Sequence, residues 1–121
     1  MDHLNETWLK LEELFNTKKQ TAYYGAHDDF NGFNIRDDTQ TISFFLSPEK
    51  AVQAARNKQG KLLVVELKFQ AIKELGGSPT SNHNSRLQLI KYGFDAYINN
   101  KYGIVGVVDP KQITIKEIEE I

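Results

Sequence analysis

Glu66 and Lys68 stand two residues apart in Val64-Val65-Glu66-Leu67-Lys68, and His27-Asp28-Asp29 sets an imidazole beside two carboxylates. On a strand, period-two alternation returns Glu66 and Lys68 to one face, where the carboxylate can hold Mg²⁺ while the lysine orients or activates water. The bland alternative is an ion pair at the end of a buried strand. His27, Asp28 and Asp29 can bind a metal or act as acid and base, although one histidine beside loop aspartates is usually a solvated turn. In Ser81-Asn82-His83-Asn84-Ser85-Arg86, His83 and Arg86 can contact a phosphate at a helix start, or the stretch is simply a capped loop. Tyr92, Phe94, Tyr97 and Tyr102 can stack on bases, but without surrounding lysines and arginines core and edge packing is the expectation. Asp28, Asp29, Asp37 and Asp38 make either an acidic patch for a basic partner surface or a solvated loop.

These groups must be positioned by a small chain. Its 121 residues fit one compact domain, and a 40% hydrophobic, 11% aromatic composition can fill a core. Fifteen basic against 16 acidic residues give a formal charge of −1, which provides no general attraction to nucleic acid or anionic lipid. With no cysteine, disulfides, thiol nucleophiles and cysteine-bound metals are excluded. No apolar run is long enough to span a bilayer, and the first residues carry no apolar signal core. The expected compartment is the cytoplasm, or the host cytoplasm for a virus-encoded chain.

Leu4, Trp8, Leu11 and Phe15 recur at helical spacing, so residues 1–20 are expected to form an amphipathic helix. Thr21 to Gly25 reads as a short strand, and the glycine-, asparagine- and aspartate-bearing stretch from Ala26 to Thr39 as a loop long enough to be functional. Thr41 to Leu46 is a second strand. Ser47 then serves as N-cap for a helix with Pro48 at its first position and Glu49 near the positive dipole end, closing between Arg56 and Gly60. Lys61 to Phe69, with Leu62-Leu63-Val64-Val65 inside it, reads as a strand buried on both faces at the centre of the sheet. Ala71 to Leu75 is expected as a short helix before Gly76-Gly77, Ser78 to Ser85 as a loop, and Arg86 to Tyr92 as a helix. Phe94 to Ile98 and Ile104 to Val108 form a hairpin over Asn99-Asn100-Lys101-Tyr102-Gly103, and Gln112 to about Glu117 is a last strand.

Three regions in this order, the last in two pieces, carry a family resemblance. Tyr23-Tyr24-Gly25-Ala26 resembles the strand-end motif of small ADP-ribosyltransferases of the His-Tyr-Glu type, with Tyr24 where histidine would stand. Ser43-Phe44-Phe45-Leu46-Ser47-Pro48-Glu49-Lys50-Ala51 is similar to the aromatic pair and acidic helix start of that family. Gly93-Phe94-Asp95-Ala96 and Asp109-Pro110-Lys111-Gln112-Ile113 resemble its late Gly-Tyr-Asp-Gly and Asp-Pro-Ser-Gln-Ile elements. The resemblance covers most of the chain from Tyr23 to Ile113. It implies a single α+β domain over residues 1–121 with a split, strongly twisted sheet and short flanking helices. It also implies an NAD⁺ cleft lined by Tyr23, Tyr24, Gly25, Ala26, Ser43, Phe44 and Phe45. In that cleft Tyr24, the catalytic side chain, would position the nicotinamide ribose, Phe45 or a nearby aromatic would stack on nicotinamide, and ADP-ribose would pass to a macromolecular target. No metal is implied.

The sequence departs from the family at the late-strand glutamate, whose place falls near Gly103 or Ile104, and no carboxylate lies between Asp95 and Asp109. Glu66, Asp28, Asp29 and Asp95 are the candidate replacements. Two further readings therefore stand beside the transferase. One is a non-enzymatic inhibitor or effector of viral or mobile-element type, binding a protein partner through the Ala26 to Thr39 loop and the Asn99 to Gly103 hairpin. The other is a metal-dependent nuclease, since Glu66-x-Lys68 also resembles the Asp…Glu-x-Lys nucleases; Asp37 and Asp38 precede it, but a strand and a helix intervene.

Overall fold

A computed structural model describes residues 17–34, 40–57, 60–75 and 86–121. It is a single α+β domain built on one mixed, seven-stranded sheet. The strands are β1 (Lys18–Ala26), β2 (Ile42–Phe45), β3 (Lys61–Phe69), β4 (Ile72–Glu74), β5 (Ala96–Asn99), β6 (Ile104–Val107) and β7 (Ile113–Glu120). Helix α1 (Pro48–Asn57) follows β2, helix α2 (Arg86–Lys91) precedes β5, and a 3-10 turn (Pro110–Gln112) precedes β7. Sheet order is β4-β5-β6-β2-β1-β3-β7, with β4 and β5 parallel and every other pair antiparallel.

The sheet is one hydrogen-bonded unit with a narrow waist. β1 runs against β3 from Lys18↔Phe69 to Ala26↔Lys61, whereas β1 meets β2 only at Tyr23↔Phe45. Alternation along these registers sorts the side chains. Ala22, Tyr24, Phe44, Leu63, Val65, Val105 and Val107 share one face, which holds the larger apolar cluster. Tyr23, Gly25, Ser43, Phe45, Gly106 and Tyr97 share the other, and both described helices lie there. α1 packs at Gly25, and α2 inserts Leu89 against Tyr97 and Val108.

Several expectations are corrected. Of the helix expected over residues 1–20, Leu4, Trp8, Leu11 and Phe15 lie outside the described residues, while Lys18 to Gln20 already belong to β1. β3 has the expected bounds but not the central place: β2 is fourth of the seven strands, and β3 lies one from the edge. One face of β3 buries Leu63, Val65, Leu67 and Phe69. On the other, burial fades from Leu62 beside α1 to the exposed Lys68, because the helix reaches only one end of the strand.

The short helix expected at Ala71 to Leu75 is instead the strand β4. The carboxylate of Asp95 accepts the N–H groups of Gln70 and Ala71, both at 2.9 Å, and Leu75 N–H donates to Ile98 O at 2.8 Å. Those partners outweigh a weak local helix preference. The β5–β6 hairpin forms as expected, with Gly103 at positive φ in the turn, whereas the last strand starts at Ile113 and runs on to Glu120, because a β-bulge absorbs the break in alternation. Residues 76–85, including His83, lie outside the described residues.

Candidate functional site

Among the described residues, a cavity of about 510 Å³ lies where the segment after β1 folds over the larger cluster. That size falls within the range of small-ligand sites. Tyr24, Phe30, Phe33 and Ile42 give it an apolar floor, and His27, Asp29 and Asn31 are among its polar rim. The floor is part of an aromatic cluster: Phe33 meets Tyr24 edge-on with ring centres 5.1 Å apart, and Phe44 lies 5.7 Å from Tyr24 and 5.3 Å from Phe33. Phe30 packs 4.9 Å from Phe33. Offset and edge geometries of this kind are favourable beyond the area they bury, and they fix the Tyr24 ring at the cavity wall.

Sequence reading missed Phe30 and Phe33. Their signal is two aromatics three apart inside an otherwise polar loop, Asp28-Asp29-Phe30-Asn31-Gly32-Phe33-Asn34, where nothing else can anchor the segment to the core.

The seven residues expected around NAD⁺ are not gathered into one cleft. Tyr24 lines the cavity. Phe44, at 2% exposure, is buried behind Tyr24 and Phe33 and does not line the cavity, and Ala26 is closed into the same cluster. Gly25 faces α1: a Cβ there would lie 2.5 Å from Ala51 O and 2.6 Å from Ala55 N, so the glycine admits the helix rather than a ligand. Tyr23 and Phe45 stand opposite each other on the helix-bearing face, away from Tyr24, so Phe45 cannot stack on a ligand held in the cavity. Ser43, on that same face, lies with its Oγ 2.6 Å from the Tyr97 hydroxyl.

Among the candidate carboxylates, Asp29 lines the cavity. Glu66 lies on the far face of β3, with Lys116 Nζ 3.9 Å from its Oε2. Asp95 is engaged with the Gln70 and Ala71 amides. The late elements of the family resemblance are structural as well. Asp109 Oδ1 accepts Lys111 N–H, Gln112 Oε1 accepts the amides of Val108 and Asp109, and Gln112 Nε2 donates to Lys68 O and Asp95 O. This capping box and its side-chain bonds clasp the end of β3 to the β5–β6 unit.

The other candidates are dispersed. Asp37 and Asp38 lie outside the described residues, and among the described residues no group of three His, Asp or Glu is placed to hold a metal. Arg86 Nε donates to Val108 O at 2.7 Å, which ties α2 to the sheet. Tyr97 is buried, Phe94 packs with it, and Tyr92 is exposed, so the four aromatics form no common stacking surface. The loop after Ala26 and the Asn99 to Gly103 hairpin sit at opposite ends of β2, since the first leads into Ile42 and the second bonds Leu46 N–H through Gly103 O. Among the described residues no helix is long and apolar enough to cross a membrane. Comparison of the chain with protein-family models, curated proteins and solved structures yields no match.

Proposed function

We propose that this is an ADP-ribosyltransferase-like domain that binds NAD⁺, or its nucleoside half, in the cavity under the segment after β1. The observation that carries the reading is the juxtaposition of the Tyr24 ring, held by Phe33 and Phe44, with His27 and Asp29 on the rim of one cavity of suitable size. An aromatic wall accepts a base or nicotinamide ring by stacking. A carboxylate accepts hydrogen bonds from vicinal ribose hydroxyls, as it does in other dinucleotide sites. Tyr24 is the ring-positioning group in this reading, and Asp29 replaces the absent late-strand glutamate as the ribose partner. In transfer to a macromolecular target, Asp29 would stabilise the positive charge that develops as nicotinamide leaves.

Titration calorimetry of the purified chain with NAD⁺ tests this, run beside Asp29→Asn and Tyr24→Ala, with circular dichroism to confirm that each variant is folded. Saturable binding by the parent chain, weakened at least about tenfold by Asp29→Asn, is expected from loss of a charge-assisted hydrogen bond. Absence of NAD⁺ heat at millimolar ligand overturns the reading and favours the protein-partner alternative. A Mg²⁺ response abolished by Glu66→Ala would favour the nuclease instead.

A further inference from the structure

The two edges of the sheet differ. β4 has three residues, whereas β7 has eight and is exposed at every position after Ile113, with Ile118 at 58% and Ile115 at 39% exposure. The register of β7 against β3 slips once. Val64 stands opposite Glu117 and Val65 opposite Ile115, so Lys116 is the extra residue of a β-bulge.

The bulge changes which face each side chain takes. Glu117 lies opposite Val64, and Lys116 reaches Glu66, which shares the face of Val64. Lys116 and Glu117 therefore lie on the same, helix-bearing face. Ile113, Ile115, Ile118 and Glu120, opposite Leu67, Val65, Leu63 and Lys61, take the other face. The order of faces along β7 is thus symmetric about the midpoint between Lys116 and Glu117.

A two-fold axis normal to a sheet keeps every side chain on its own face, so an antiparallel self-pairing must set same-face residues opposite each other. In a regular strand that axis passes through a residue. Here the bulge moves it between two opposite charges.

We propose that the chain associates with a second copy through β7, the two strands antiparallel about this axis so that one sheet continues into the other. Lys116 then faces Glu117 of the second copy, and Ile115 faces Ile118, each pair occurring twice. Opposite-charge and β-branched cross-strand pairs are the favourable ones, and main-chain bonding of Ile113 to Ile115 against Ile118 to Glu120 supplies the rest. The partner is another copy because the complementarity lies within the strand itself. A bulge and charges can equally serve to blunt an edge against pairing, and the oligomeric state separates the two roles.

Sedimentation equilibrium of the full chain, from micromolar to near-millimolar concentration, should show a monomer–dimer equilibrium. Lys116→Glu puts like charges opposite each other at the axis and should weaken the dimer roughly tenfold. Lys116→Glu combined with Glu117→Lys should restore it, with circular dichroism confirming the fold of each variant. A parent chain that stays monomeric throughout overturns the proposal, as does a dimer indifferent to Lys116→Glu or one that the double exchange fails to restore.

Discussion

The hydroxyl of Tyr97, on β5, lies 2.6 Å from Ser43 Oγ, on β2, although the whole of β6 separates the two strands. The ring crosses β6 at Gly106, where a Cβ would stand 2.1 Å from Tyr97 Cε1. One glycine therefore lets a buried tyrosine span three strands and satisfy its hydroxyl, which a buried polar group requires.

Gly106→Ala should lower stability by about 2–3 kcal/mol, the usual cost of forcing atoms into a filled site. Tyr97→Phe, which removes only the hydroxyl, should cost about 1 kcal/mol. Urea unfolding of the two variants checks the order. Equal costs would mean that the ring does not rely on the gap over Gly106.

Gly25→Ala should also destabilise the fold, by about 1–3 kcal/mol or more, because the added methyl meets the backbone of α1 at Ala51 and Ala55. A shift in thermal midpoint with NAD⁺ affinity unchanged, under conditions where the variant is folded, would agree with a packing role. A selective loss of affinity would return Gly25 to the ligand site.

Asp95→Ala leaves the Gln70 and Ala71 amides without their carboxylate partner and should cost about 2–4 kcal/mol. Hydrogen exchange should then rise first at β4, whose start these bonds fix. Asp95→Asn keeps one acceptor oxygen and should lose less.

The Ser47 hydroxyl donates to Glu49 and, with a backbone hydrogen bond, holds the Glu49 carboxyl below its ordinary range. A folded-state pKa below the unfolded one contributes stability that is present above the unfolded value and is lost as pH falls through the folded value. The Glu49 side chain is exposed, so the effect on stability is small. Ser47→Ala should raise the titration midpoint of Glu49 toward that of an ordinary glutamate, read by NMR of its carboxyl carbon. A midpoint that does not move would exclude the hydroxyl as the cause.

The strands from Lys61 to Phe69 and over the late hairpin were legible because apolar runs and turn residues are local properties. Ala71 to Leu75 was misread because Asp95, 24 residues away from Ala71, holds its amide. Of the cavity lining, Tyr24 and the segment after Ala26 were legible. Illegible were Phe30 and Phe33, whose partners across the fold give them their role, and Gly25, where a glycine that admits a helix looks the same in sequence as one that admits a ligand.

By itself the sequence determined one small domain, its α+β alternation, the lack of thiol chemistry and the absence of any carboxylate between Asp95 and Asp109, since these depend on composition and short-range pattern. The tertiary structure decided which side chains share a face. Strand register and the bulge at Lys116 put Tyr24 and Asp29 at one cavity, turned Ser43 and Phe45 away from it, and set Lys116 and Glu117 side by side on an open edge. A shift of one residue reverses a strand's faces, and register is set by pairing between distant segments, which no local pattern encodes.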